Sequence, residues 1–238
     1  MIRIKICGLT SKEDIHLCAS AGVDALGFVV EYPIPVPWNL ERKTALQLMA
    51  SVPPFVTSVI VVGDDPDEVL AITDMLRPNV VQLHGREPLD TTERLITKLK
   101  SLGVQVIKAL RFSVRRGELN YDISDPVAAC RSLADAGVDG VVLDSMTDSR
   151  PAGTGKSFDW KIARLIRDEV NTPVILAGGL NAENVRRAIS EVRPYGVDVI
   201  TGVESPIGKK DPSKVKEFIK EARWGYYESL NQWSHSPE

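Results

Sequence analysis

Two residues far apart in the chain have the makings of a proton-transfer pair. Cys7 closes the short aliphatic run Ile2-Arg3-Ile4-Lys5-Ile6-Cys7, and Asp144 closes another, Val141-Val142-Leu143-Asp144. In an extended chain Ile2, Ile4 and Ile6 share one face, and Arg3, Lys5 and Cys7 share the other. A free thiol titrates at about 8.5, so it is a weak base unless a neighbouring charge favours the thiolate. Lys5 is one such neighbour. A carboxyl closing an apolar strand can be desolvated enough to keep its proton. A base and an acid flanking a small ligand are what a proton-shuttling isomerisation requires. Each residue also has a plainer reading: Cys7 as a small buried hydrophobe, and Asp144 as a cap on the loop that follows.

Glycine-bearing segments supply a second kind of chemistry. Gly153-Thr154-Gly155-Lys156, Ala177-Gly178-Gly179-Leu180-Asn181 and Thr201-Gly202-Val203-Glu204 each follow a predicted strand. Glycine lets backbone N–H groups approach an anion closely, and a following helix terminus favours negative charge. One such segment alone is only a turn; three in succession after the last strands read as a phosphate cradle built from Gly155, Gly178, Gly179, Thr201 and Gly202. His84, in Gln82-Leu83-His84-Gly85, stands at another strand end, as a ligand-orienting group or as a satisfied structural histidine. No His, Cys, Asp or Glu cluster has metal-ligand spacing, and no Ser/His/Asp arrangement is legible.

The elements that must position these residues follow from patterning. Short β-branched runs at residues 2–7, 25–30, 57–62, 80–83, 104–109, 138–143, 174–177 and 197–201 predict eight strands. Helix-like periodicity predicts helices over 11–21, 42–50, 66–77, 90–102, 125–136, 159–170, 182–192 and 212–224. Several open on cap residues: Ser11, Asp65-Pro66, Asp125-Pro126, Asn181 and Asp211-Pro212. Gly22, Gly103 and Gly137 follow helices where a left-handed residue ends them. Eight β-α units without a composition break favour a single (β/α)8 barrel over an open doubly wound sheet. Residues 1–222 form the predicted barrel, and 223–238 a C-terminal aromatic and polar tail. Barrels place their active sites at the C-terminal ends of the strands, where Cys7, His84, Asp144 and the glycine segments fall.

The 238 residues include 29 Lys+Arg and 32 Asp+Glu, for a net charge of -3. This balance gives no footprint for nucleic-acid binding, and no apolar stretch is long enough to span a bilayer. The N-terminus lacks the apolar core of a signal peptide. Three scattered cysteines suit neither a disulfide framework nor a zinc cluster. A cytoplasmic globular protein is expected, as a monomer or homodimer.

Six ordered motifs then carry a resemblance. They are Lys5-Ile6-Cys7-Gly8-Leu9-Thr10, Gln82-Leu83-His84-Gly85, Leu143-Asp144-Ser145, Gly153 to Trp160, Ala177-Gly178-Gly179-Leu180, and Asp198 to Glu204. Together the chain resembles phosphoribosylanthranilate isomerase of tryptophan biosynthesis from residue 1 to about 220. The resemblance implies a phosphate-binding TIM barrel and a cofactor-free Amadori rearrangement of a phosphorylated small molecule. It implies Asp144 as the acid that protonates the furanose oxygen and Cys7 as the base that removes the C2′ proton. Gly178, Gly179, Thr201 and Gly202 would hold the phosphate, and His84 and Asp198 would contact the ring or ribose. The histidine-pathway isomerase, also a phosphate-binding barrel, would be expected to use paired aspartates.

One departure stands out. After the second strand this family usually carries Ser-Pro-Arg, whose arginine pairs with the anthranilate carboxylate. Here the stretch from Glu31 to Leu40 contains no basic residue. Arg42, the nearest, is the candidate substitute; otherwise a residue elsewhere serves, or the aglycone differs. Trp38 could stack on an aromatic ring or simply pack its own Pro-rich loop. A related barrel isomerase with another aglycone, and a non-catalytic phosphate-ligand binder, are the alternatives. Keeping both proton carriers argues against the binder.

Overall fold

Local chemistry starts and stops the helices much as the caps predict. In the computed structural model, which describes residues 1–114, 118–146 and 157–233, Ser11 accepts from the Asp14 amide at the head of α1 (Lys12–Ala21). Gly22 ends that helix at φ 90°, a conformation that costs a residue with a Cβ. Asp65 caps α3 (Pro66–Leu76), Asp125 caps α5 (Pro126–Asp135) and Asp159 caps α6 (Trp160–Glu169). Asp211 accepts from the Ser213 and Lys214 amides at the start of α8 (Pro212–Trp233). The helices α2 (Arg42–Met49), α4 (Leu89–Ser101) and α7 (Val185–Val192) complete the set.

The strands are β1 (Arg3–Ile6), β2 (Ala25–Val30), β3 (Asn39–Leu40), β4 (Thr57–Val62), β5 (Val80–Leu83), β6 (Gln105–Ser113), β7 (Gly140–Met146), β8 (Val174–Leu176) and β9 (Gly196–Val199). All are parallel, in the order β1-β9-β8-β7-β6-β5-β4-β2-β3, and a further β1–β2 pairing closes the ring. The result is a closed eight-stranded barrel, with the two-residue β3 appended to β2.

The period of two works as expected in β1. Ile2, Ile4 and Ile6 pack outward into the strand–helix layer, each apolar side chain contributing roughly 1.5–3 kcal/mol on burial. A smaller cluster of Val59, Val80, Ile107, Ala109, Val142 and Ala177 fills the barrel itself. This cluster packs the middle of the barrel.

Several features differ from the sequence reading, among them the added β3 and a β7 that runs to Met146, past the predicted end at 143. The strand β6 runs on to Ser113, four residues past the predicted end, because seven register pairs tie it to β7, from Ile107↔Gly140 to Ser113↔Met146. The helix α7 begins at Val185, while Asn181 accepts from the Glu183 and Asn184 amides in the preceding turn. The last helix continues unbroken through Trp233, so residues 223–233 extend it instead of forming a separate tail after 222. The Met1 ammonium reaches the Tyr226 hydroxyl at 2.9 Å, and Arg186 pairs with Glu228, which fixes this extension to the barrel. Among the described residues, no helix is long and apolar enough to cross a membrane.

Candidate active site

Strand register brings the first functional residues together. Lys5 on β1 is the register partner of Asp198 on β9, and the Lys5 ammonium donates to Asp198 Oδ2 at 2.6 Å in a buried ion pair. Burial alone would lower the Lys5 pKa, but the attraction of Asp198 and Cys7 raises it above its ordinary value, so Lys5 is charged. Cys7 follows the end of β1, held by its amide to the Val199 carbonyl at 2.9 Å. Burial pushes the Cys7 thiol up, and the Lys5 charge and hydrogen bond oppose that push. Gly27 on β2 makes room for the sulfur: a Cβ there would lie 2.5 Å from Cys7 Sγ.

Asp144 lies on the inward face of β7, two residues past Val142 and two before the strand ends at Met146. One carboxylate oxygen accepts from the Ser145 amide at 2.7 Å. Desolvation raises its pKa to about 7 despite that hydrogen bond, so it holds a proton over much of the neutral range. His84, just past β5, sits with Nε2 3.7 Å from Asp144 Oδ2. Its Nδ1 lies 3.2 Å from Gln82 Nε2, which assigns the ring proton to Nε2 when Gln82 donates. Burial, followed by the charges of Arg111, Lys108 and Lys5, holds His84 well below its ordinary pKa and therefore neutral. His84 Nε2 and Asp198 Oδ1 are buried without a hydrogen-bond partner among the described residues.

Cys7, Trp38, His84, Asp144 and Asp198 line one cavity at the C-terminal ends of the strands. Asp144 and Asp198 also line an adjoining recess with Gly178, Gly179 and Thr201. Gly178 and Gly179 both have positive φ, and a Cβ at Gly178 would collide with Ser145. Gly202 lies in the short 3-10 turn Thr201–Val203, packed so closely on the Leu180 carbonyl that only glycine fits. Gly155 and its neighbours lie outside the described residues. A roomier hollow at the opposite face, lined by Arg3, Asp24, Phe55 and Tyr195, contains neither Cys7 nor Asp144. Among the described residues, no group of three or more His, Cys, Asp or Glu is arranged to hold a metal ion.

Arg42 is placed elsewhere. At the head of α2 its guanidinium pairs with Glu31 and Glu68, and it lines neither cavity. The substitution that sequence proximity suggested fails because Glu31, just past β2, takes the guanidinium first. Trp38 is buried and lines the cavity with Cys7, and its indole N–H donates to Glu204 Oε1 at 2.7 Å. The same Glu204 oxygen accepts from Lys210 at 2.6 Å, and Lys210 also donates to the Cys7 carbonyl at 2.6 Å. This network ties the Trp38 loop to the end of β1.

Sequence reasoning passed over Arg111 and Tyr32. Arg111 lies on β6 beyond the predicted strand end, in register with Asp144. Extending the alternation of inward Ile107 and Ala109 by one step would have found it. Its Nη1 approaches the Tyr32 hydroxyl at 3.4 Å, and that hydroxyl donates to the His84 carbonyl at 3.2 Å.

Comparisons with known proteins identify the family and the fold. A family model described as N-(5′-phosphoribosyl)anthranilate (PRA) isomerase matches residues 4–221. The chain is 38% identical over 228 residues to N-(5′-phosphoribosyl)anthranilate isomerase of Methanosarcina acetivorans, covering 94% of each chain. It is 41% identical over 227 residues to that of Methanopyrus kandleri, covering 92% of this chain and 98% of that one. The crystal structure of phosphoribosyl anthranilate isomerase from Thermotoga maritima is similar at TM-score 0.77 and 36% identity, over 94% of this chain and 100% of that one. A crystal structure of the isomerase in complex with reduced 1-(o-carboxyphenylamino)-1-deoxyribulose 5-phosphate is similar at TM-score 0.73 and 34% identity, with the same coverage. A barrel whose Cys7, Asp144 and glycine recess meet at one mouth, matched along nearly its whole length, belongs to the N-(5′-phosphoribosyl)anthranilate isomerase family, the isomerases of tryptophan biosynthesis.

Proposed function

We propose that this enzyme converts N-(5′-phosphoribosyl)anthranilate to 1-(2-carboxyphenylamino)-1-deoxyribulose 5-phosphate, with Asp144 as general acid and Cys7 as general base. One observation carries the reading: Cys7 and Asp144 line the same cavity, and Asp144 also lines the glycine recess beside it. A ligand anchored by its phosphate in that recess has its ribose carbons between the two proton carriers.

The steps balance as an isomerisation. Asp144 donates a proton to the furanose ring oxygen, the C1′–O bond breaks, and the amine nitrogen lone pair forms the Schiff base. Cys7 thiolate then removes the C2′ proton, giving an enolamine. This becomes the ketone as C1′ gains a proton and the C2′ hydroxyl loses one, and proton exchange with solvent returns Asp144 to the acid and Cys7 to the thiolate. An acid with a pKa of about 7 is suited to the first step at neutral pH. Lys5 favours the thiolate for the second by placing a fixed positive charge beside it. Gly178, Gly179, Thr201 and Gly202 offer backbone and hydroxyl donors to the phosphate. The unpartnered Asp198 Oδ1 and His84 Nε2 are free to take ribose hydroxyls.

The test is direct. With phosphoribosylanthranilate generated in situ, the protein should consume the substrate's fluorescence catalytically. No turnover by folded protein, with a control isomerase active in the same cuvette, overturns the reading.

A further inference from the structure

Among the described residues, four Lys and Arg side chains are buried: Lys5, Lys108, Arg111 and Lys210. Three have carboxylate partners within 3 Å: Asp198 at 2.6 Å, Glu87 at 2.9 Å and Glu204 at 2.6 Å respectively. Arg111 is 3% exposed, and among the described residues it makes no ion pair. Its one polar contact is the long approach of Nη1 to the Tyr32 hydroxyl. A buried guanidinium without a counter-ion is costly, and native structures keep one where a ligand supplies the missing charge. The planar fork of arginine matches a carboxylate.

Its position selects which ligand group that is. The phosphate recess lies on the β8–β9 side of Asp144. Arg111 stands on the other side, on β6, directly in register with Asp144. Arg111 itself lines neither the cavity nor the recess; it adjoins the Cys7 cavity through Tyr32, which it contacts and which is part of that lining. A ligand with its phosphate at Gly178 and Thr201 and its reacting carbons between Cys7 and Asp144 therefore directs its remaining end toward Tyr32, His84 and Arg111. We propose that Arg111 binds the carboxylate of the anthranilate moiety, supplying from β6 the charge that the segment after β2 lacks. This assignment rests on the reaction proposed above and adds the residue that selects the aglycone.

Two substrates separate the possibilities: N-(5′-phosphoribosyl)anthranilate and N-(5′-phosphoribosyl)aniline, each formed in situ from ribose 5-phosphate and the arylamine, with products followed by chromatography. Wild type should prefer the carboxylate-bearing substrate by about 10²-fold or more in kcat/KM. Arg111→Met should lose about that factor on the anthranilate substrate, chiefly in KM, and stay within about threefold of wild type on the aniline substrate. Arg111→Lys, which keeps the charge without the fork, should fall between them. The Tm of Arg111→Met should be no lower than that of wild type, since an unpaired buried charge is removed. An equal loss on both substrates, or an undiminished preference in Arg111→Met, overturns the assignment while leaving the reaction standing. Wild type that converts neither substrate overturns the reaction and this assignment with it.

Discussion

Lys5 and Asp198 face each other across the β1–β9 ladder and form a buried 2.6 Å ion pair next to Cys7. The pair gives the thiol a fixed positive neighbour and leaves Asp198 Oδ1 open to the cavity. Lys5→Met should therefore raise the Cys7 pKa and slow its alkylation at neutral pH. Cys18 and Cys130, both pushed up to about 12 by burial, will not obscure the titration. The single variant should also lose roughly 3–5 kcal/mol of stability, because it strands a buried carboxylate. Lys5→Met with Asp198→Asn should recover much of that stability without recovering thiol reactivity. Unchanged alkylation kinetics in both variants would remove Lys5 from the mechanism.

Cys7→Ser and Asp144→Asn should each lower kcat by about 10²-fold or more, since general acid–base catalysis contributes on that order. Circular dichroism should show both variants folded. Turnover near wild type in either one would falsify its assigned role.

The pH profile has a defined shape. The proposed mechanism requires Asp144 protonated and Cys7 ionised, although burial favours the opposite distribution: Asp144 titrates at about 7, and the Cys7 pKa is raised above its ordinary value. Below pH about 7 Asp144 already holds its proton, so further acid only depletes thiolate. In that range kcat/KM should fall tenfold per pH unit. Between pH about 7 and the thiol pKa, loss of the Asp144 proton offsets the gain in thiolate, and the profile should be flat. A kcat/KM that stays constant from pH 5.5 to 7 contradicts this distribution of protons.

Stability should respond to Asp144 in the direction its pKa dictates. A carboxyl raised from about 3.9 when unfolded to about 7 when folded favours the native state below the lower value. That contribution is lost as pH rises through the upper one, a change on the order of 4 kcal/mol. Asp144→Asn lacks the titration and can still accept from the Ser145 amide. Its Tm should exceed that of wild type at pH 8, and the gap should close toward pH 4. A pH-independent difference in thermal melts would show that the carboxyl is not desolvated as described.

The candidate site was legible where local pattern and strand alternation agree. Ile2, Ile4 and Ile6 point outward, which sends Lys5 and Cys7 inward, and Asp144 follows the same alternation from Val142. Arg42 misled because nearness along the chain says nothing of competing partners, and Glu31 and Glu68 hold its guanidinium. Arg111 was missed because a charged residue interrupts an apolar run and reads as a strand end, whereas seven pairs with β7 carry the strand past it.

The sequence by itself determined the barrel, its helix caps, and which cysteine, aspartate and glycines stand at its strand ends, because these depend on short-range periodicity and on backbone conformations few residues adopt. Only the tertiary structure decided which charges meet. It paired Lys5 with Asp198 and Lys210 with Glu204, while leaving Arg111 without a carboxylate among the described residues. Ring closure sets the Lys5–Asp198 pair, by bringing β1 into register with β9 from the far end of the chain, whereas Lys210 and Glu204 meet within one loop. Desolvation in the closed barrel then turns an ordinary aspartate into an acid that titrates near neutrality.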